Sequence, residues 1–184
     1  MVFGGQIIQK IDALNTLKHL DRRGVYVLTK ADLAKAFPDE EEKTLEKSLQ
    51  RLVSDGILER VTKGIYLNPM ATSKKSHVVE DIAAVLRRSH LSYVSMESML
   101  SEYGVISQVP VRRVTIMTTG AKGTYNTPYG TIEFTHTKRR LVEIIRRTAI
   151  VKNRPLRIAL KAAAVQDLVR AGRNTGMMNT AEIE

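Results

Sequence analysis

With 184 residues, 43% of them hydrophobic, the chain can build one medium domain or two small ones with real cores. It has no cysteine, which excludes disulfides and thiolate metal sites, and no apolar run of about 18 residues that could span a membrane. Its formal charge of +10 suits a polyanionic partner.

The opening "MVFGGQIIQK" lacks a basic start followed by a long apolar stretch. No secretory signal is expected, and the chain reads as cytoplasmic. The charge is uneven. Met1 to Met70 carry 11 basic and 10 acidic residues, whereas Ala71 to Glu184 carry 18 and 9. The positive field is therefore expected in the second part. The four histidines, His19, His77, His90 and His136, are scattered without ligand spacing, so no metal and no cofactor are expected.

Residues Gln6 to Asp21 predict a helix, because Ile7, Ile8, Ile11, Leu14 and Leu17 recur near helical spacing. Gly24 ends it, and Val25 to Leu28 is a short β-prone piece. Thr29, with Asp32 three residues on, predicts a capped helix that stops at Pro38. "DEEEKTLEKSLQRLVSDG" predicts a third helix capped by Asp39 or Glu40, with Leu45, Leu49, Leu52 and Val53 inward and Gly56 as its stop. Ile57 to Val61 and Ile65 to Asn68 predict a hairpin around Thr62-Lys63-Gly64. Three helices and a hairpin describe a winged helix-turn-helix over 1–70.

The outer face of the third helix carries Lys43, Lys47, Gln50 and Arg51, and the hairpin tip carries Thr62 and Lys63. Long cationic side chains reach phosphates, Arg pairs with guanine edges and Gln with adenine edges. These six residues are the candidate contacts to double-stranded DNA. A plain solvated face is the competing reading, and Glu40, Glu41 and Glu42 would repel phosphate there.

Residues 71–76 read as a linker, and 77–184 as a basic mixed α/β domain. Val79, Ile82, Ala83 and Leu86 predict an inward helix face, and Ser95 and Gly104 bracket another helix. From Val111 the period becomes two. "VRRVTIMTT" and "GTIEFTHT" predict strands of a small antiparallel sheet, joined by a mobile loop with Lys122, Tyr125 and Tyr129. Charge and stacking give that loop a second reading as a nucleic-acid contact. "KRRLVEIIRR" predicts an ordered segment with a basic side. Leu156 to Ala159 predict a strand, a helix follows, and the last dozen residues look loosely held. Arg112, Arg113, Lys122, Lys138, Arg139, Arg140, Arg146 and Arg147 are candidate phosphate contacts. The fold class is therefore α+β.

Catalytic signatures are absent, with no phosphate-binding glycine loop and no G-x-S-x-G elbow. Glu133 and Lys138 after a strand loosely suggest a metal-dependent nuclease. The second acid is missing, and Thr135 stands where a lysine would be needed. No enzyme is expected.

Three segments together look familiar. "RLVSDGILERVTKGIYLNP" resembles the end of the winged helix in the AbiEi family of bacterial antitoxins. "LSYVSMESMLSEYGVISQVP" resembles the start of that family's second domain. "PLRIALKAAAVQDLV" is similar to a late segment with Arg157, Ala159 and Asp167. The resemblance implies an antitoxin of an abortive-infection toxin–antitoxin pair that represses its own operon. It implies operator DNA as partner, and a nucleotidyltransferase-like toxin encoded next door. The oligomeric state stays open, a monomer binding cooperatively to repeats being one form. The alternative is a protein-interaction module that docks on an acidic partner with little sequence-specific DNA binding.

Overall fold

The computed structural model describes residues 8–107 and 112–178. The chain divides into two compact units, Met1–Ser76 and His77–Glu184.

The first unit runs α1 (Lys10–Arg22), β1 (Val27–Thr29), α2 (Lys30–Ala36), α3 (Glu42–Ser54), β2 (Glu59–Thr62) and β3 (Ile65–Leu67). Its strands form an antiparallel sheet in the order β1-β3-β2, which makes the unit a winged helix-turn-helix. Leu17, Leu33, Leu45, Leu49, Leu52 and Leu58 meet in one core. Each such side chain contributes about 1.5–3 kcal/mol by leaving water. Thr29 caps α2 as its spacing predicts. Its Oγ1 accepts from the Asp32 amide at 3.0 Å, and its own amide donates to the Asp32 carboxylate at 2.8 Å. Gly64, at φ +74°, makes the β2–β3 turn that a Cβ would strain.

Three expectations for this unit change. Of the expected first helix, Gln6 and Ile7 lie outside the described residues. The helix itself begins only at Lys10. Ile8 is therefore buried from extended chain, the helix turns Ala13 and Leu17 inward, and Ile11 is left 68% exposed. Glu41, not Asp39 or Glu40, occupies the α3 N-cap, without a side-chain cap. The expected linker is in part bound. Asp21 accepts from the Thr72 amide and hydroxyl, both at 2.9 Å, and from the Ser73 amide at 3.0 Å. Hydrogen bonding from Ser73 and then Thr72 holds the Asp21 carboxyl well below the usual carboxylate range.

The second unit runs α4 (Val78–Leu86), β4 (Ser92–Val94), α5 (Glu97–Glu102), β5 (Arg113–Thr118), β6 (Gly123–Thr127), β7 (Gly130–His136), α6 (Leu141–Arg146), β8 (Thr148–Ala149), β9 (Arg157–Ala159) and α7 (Lys161–Arg170). Its six strands lie in the order β6-β7-β5-β4-β9-β8. The sheet is mixed rather than antiparallel. β5 pairs parallel with β7, and β4 parallel with β9. Alternation of side chains is the same in either direction, so the sequence pattern fixes the strands but not their sense.

The segment expected as a loop between β5 and β7 is mostly β6, an edge strand antiparallel to β7. Tyr125 on it packs edge-on against Phe134, with ring centroids 5.8 Å apart. The Arg87 guanidinium lies 4.4 Å from the Phe134 ring centre and 5.2 Å from that of Tyr125. Ser95 does not cap a helix. Met96, at φ +55°, takes that place, and Ser95 is buried. The chain end is held as far as Met178, which bridges Ile106; 179–184 lie outside the described residues, as does Val111 at the head of the first expected strand. Among the described residues no helix is long and apolar enough to cross a membrane.

Candidate nucleic-acid interface

In the first unit, α3 and the β2–β3 turn enclose a groove of about 510 Å³. Glu46, Gln50 and Ser54 line it from α3 at one-turn spacing, and Arg60, Lys63 and Tyr66 line it from the hairpin. Lys43 and Lys47 are exposed on the same helix. Thr62 is half-buried, and Lys63 is exposed at the tip.

Arg51 departs from this set. Its Nη2 donates to the Ile8 carbonyl, which ties α3 to the chain before α1. It serves the fold rather than the groove. Arg60 also faces the groove from β2, outside the six residues the sequence points to. Period two finds it, because Val61 is buried and its strand neighbour Arg60 must face outward. Lys30 lies outside those six as well, since its role depends on the meeting of three elements. Its Nζ donates to Glu46 at 2.6 Å and to Glu42 at 3.2 Å, and its amide donates to the Gly64 carbonyl at 2.9 Å. Those carboxylates, Glu46 first, raise the Lys30 ammonium pKa and keep it charged.

The acidic run is less of an obstacle than its sequence suggests. Glu40 accepts from the Ser48 hydroxyl at 3.1 Å and from the Ile8 amide at 2.5 Å. Glu42 faces Lys30. Glu40 is thus spent inside the unit, while Glu42 stays exposed beside Lys30.

In the second unit the candidate cations separate into two groups. Arg112, Lys122, Lys138, Arg140 and Arg146 are exposed. Arg113 is exposed too, but lies 3.4 Å from Glu133. Arg139 and Arg147 are committed to Asp167, which is fully buried on α7. Arg139 pairs with it at 2.5 Å and Arg147 at 3.7 Å. Arg147 also donates to the Gln166 side chain at 2.7 Å. The second Asp167 oxygen accepts from Ser95 at 2.7 Å and Tyr93 at 3.0 Å. Burial, with the Asp167 charge adding to it, pushes the Tyr93 phenol up to about 12. One carboxylate thereby joins β4, α7 and the segment around α6.

Glu133 is held by Arg113 and Arg173. Among the described residues, no three histidine or carboxylate groups are placed to hold a metal ion.

The profile of a family described as "Family of unknown function (DUF6088)" matches residues 11–175, and the chain belongs to that family. No curated protein matches it. Among solved structures, the crystal structure of the RV2827C protein from Mycobacterium tuberculosis is similar, with a TM-score of 0.59 at 15% identity. The match covers 94% of this chain and 65% of that one, so the chain spans about two thirds of that protein's length. The likeness is one of fold.

Proposed function

We propose that this member of DUF6088 is a cytoplasmic DNA-binding regulator. It represses its own operon and serves as the antitoxin of a bacterial toxin–antitoxin pair, in keeping with its resemblance to the AbiEi family. The observation that carries the DNA reading is the groove where Gln50, Arg60 and Lys63 converge. In this reading α3 enters the major groove of operator DNA. Gln50 reads an adenine edge, Lys43 and Lys47 contact phosphates, and the wing sets Lys63 on the neighbouring backbone. The exposed cations of the second unit, Arg140 and Arg146 among them, add phosphate contacts. Monomers bind cooperatively at repeats, and no catalytic step is involved.

The test is fluorescence anisotropy of the full chain with a duplex from upstream of its own gene, against a scrambled duplex at the same salt. The operator should bind more tightly, and Gln50→Ala should cost about 1–3 kcal/mol on the operator only. Equal affinity for both duplexes would remove this reading.

A second reading rests on α6. Leu141, Val142 and Ile145 are about half exposed there, between Arg140 and Arg146. An apolar patch with a basic rim suits direct docking on an acidic protein, here the nucleotidyltransferase-like toxin expected next door. Co-purification with the neighbouring gene product, lost in Val142→Asp, would favour it.

A further inference from the structure

A second concavity lies in the second unit, beyond the carboxyl ends of the parallel neighbours β5 and β7. It holds about 460 Å³ and is lined by His136, Lys138, Arg139, Glu143, Asp167 and Arg170, with Met117, Thr135, Thr137 and Ala171 completing the wall. Carboxyl ends of parallel strands are where open α/β sheets take their ligands.

The charges here are built in rather than scattered. The Arg139 side chain is only 6% exposed. Its contacts to Asp167 and Tyr93 both use Nη1. Arg147 shares the Asp167 charge, leaving two arginines on one carboxylate. Lys138 and Arg170 are exposed at the rim. Glu143 counts against an anion, but its carboxylate accepts from the Arg140 amide at 2.9 Å and so answers its own helix start. The carboxyl end of α7 also disfavours an anion, and Arg170 in its last turn offsets that. The His136 ring is fixed by its Nδ1, which donates to the Gly120 carbonyl at 2.8 Å and leaves Nε2 for other contacts.

We infer that this concavity is a binding site for a small ligand carrying a phosphate group, taken as free phosphate or a phosphate monoester. A recessed guanidinium fork between two rim cations matches the planar pairs of acceptor oxygens that such a group presents. A phosphodiester in a duplex is a poorer fit, because the convex backbone must reach a nearly buried arginine. The site is built from residues of the second unit alone and does not rest on the DNA reading.

The test is an NMR titration of the full chain with inorganic phosphate, ionic strength being held constant with chloride. Saturable shifts are expected at the amides of residues 135–139 and at Arg170. Lys138→Met and Arg170→Met should each weaken binding about tenfold, as loss of a charge-assisted hydrogen bond does. Lys152→Met, outside the lining, should leave it unchanged. Shifts that fail to saturate, or that spread evenly over the cationic surface, would overturn the assignment. So would wild-type affinity in both rim variants. A DNA duplex that competes with phosphate for the same resonances would place a nucleic-acid backbone there and would also overturn it.

Discussion

The two units use their charges in opposite ways. The first carries the smaller share of the net charge, 13 basic against 10 acidic residues, yet Lys43, Lys47 and Lys63 stand exposed around one helix and one turn. The second holds most of the chain's net positive charge, yet much of it is spent inward. Arg139 and Arg147 answer Asp167, Arg154 clamps Glu80 and Glu102, and Arg173 holds Glu97 and Glu133. Arg157 donates to the Thr148 hydroxyl and carbonyl. Net charge measures the field at a distance. The charge that can grip a partner is what remains after internal pairing. On the sequence alone, the positive field lies in the basic half; internal pairing of its arginines takes part of that charge out of a partner's reach.

The largest test of that contrast is Asp167→Ala. It would leave Arg139 nearly buried without its anion, and breaking a buried pair from one side costs about 3–5 kcal/mol. Chemical denaturation should show that loss in the second unit. Leu28, Leu45 and the rest of the first core should keep their protection in hydrogen exchange, because the first unit has its own core. Simultaneous loss of protection in both units would break the idea that each stands on its own packing.

The winged helix was legible because each of its parts carries a local signal. Thr29 and Asp32 sit at capping-box spacing, Leu45, Leu49 and Leu52 share a helical face, and Gly56 and Gly64 sit where the chain needs φ above zero. The second unit hid its organising parts. β4 lies within the six-stranded sheet but spans only Ser92–Val94, too short to display a period. The parallel sense of β5 and β7 leaves no trace in their alternation. Lys138, Arg139 and Arg140 are adjacent in sequence and look alike there. Only the fold separates exposed Lys138 and Arg140 from buried Arg139, because burial depends on Asp167 about thirty residues on. The tie from Arg51 is hidden for the same reason, since its partner is the Ile8 carbonyl far back in the chain.

The salt dependence of DNA binding probes the contrast one cation at a time. Each phosphate contact contributes about 0.9 to the slope of log affinity against log salt. Lys63→Ala should lower that slope by about one unit. Arg146→Ala should do the same if the second unit touches DNA. Arg147→Ala should leave the slope unchanged, because that guanidinium is engaged by Gln166 and Asp167. A fall in slope with Arg147→Ala, in a variant that remains folded, would mean that internal pairing does not withhold a cation from DNA.

The smallest effect concerns how the first unit keeps its few cations in place. Thr29 caps α2, and the first residue of α2 is Lys30. Lys30 connects the wing through the Gly64 carbonyl and α3 through Glu42 and Glu46. The cap therefore fixes the start of the element that sets the width of the groove. Thr29→Ala should cost about 1 kcal/mol of stability in the first unit, and Thr29→Ser should restore most of it, because the hydroxyl that accepts from Asp32 returns. If the groove depends on that anchor, operator affinity should fall in Thr29→Ala while the salt slope stays constant, since no phosphate contact is removed. Unchanged affinity alongside the stability loss would show that α3 and the wing hold their spacing through the sheet and core alone.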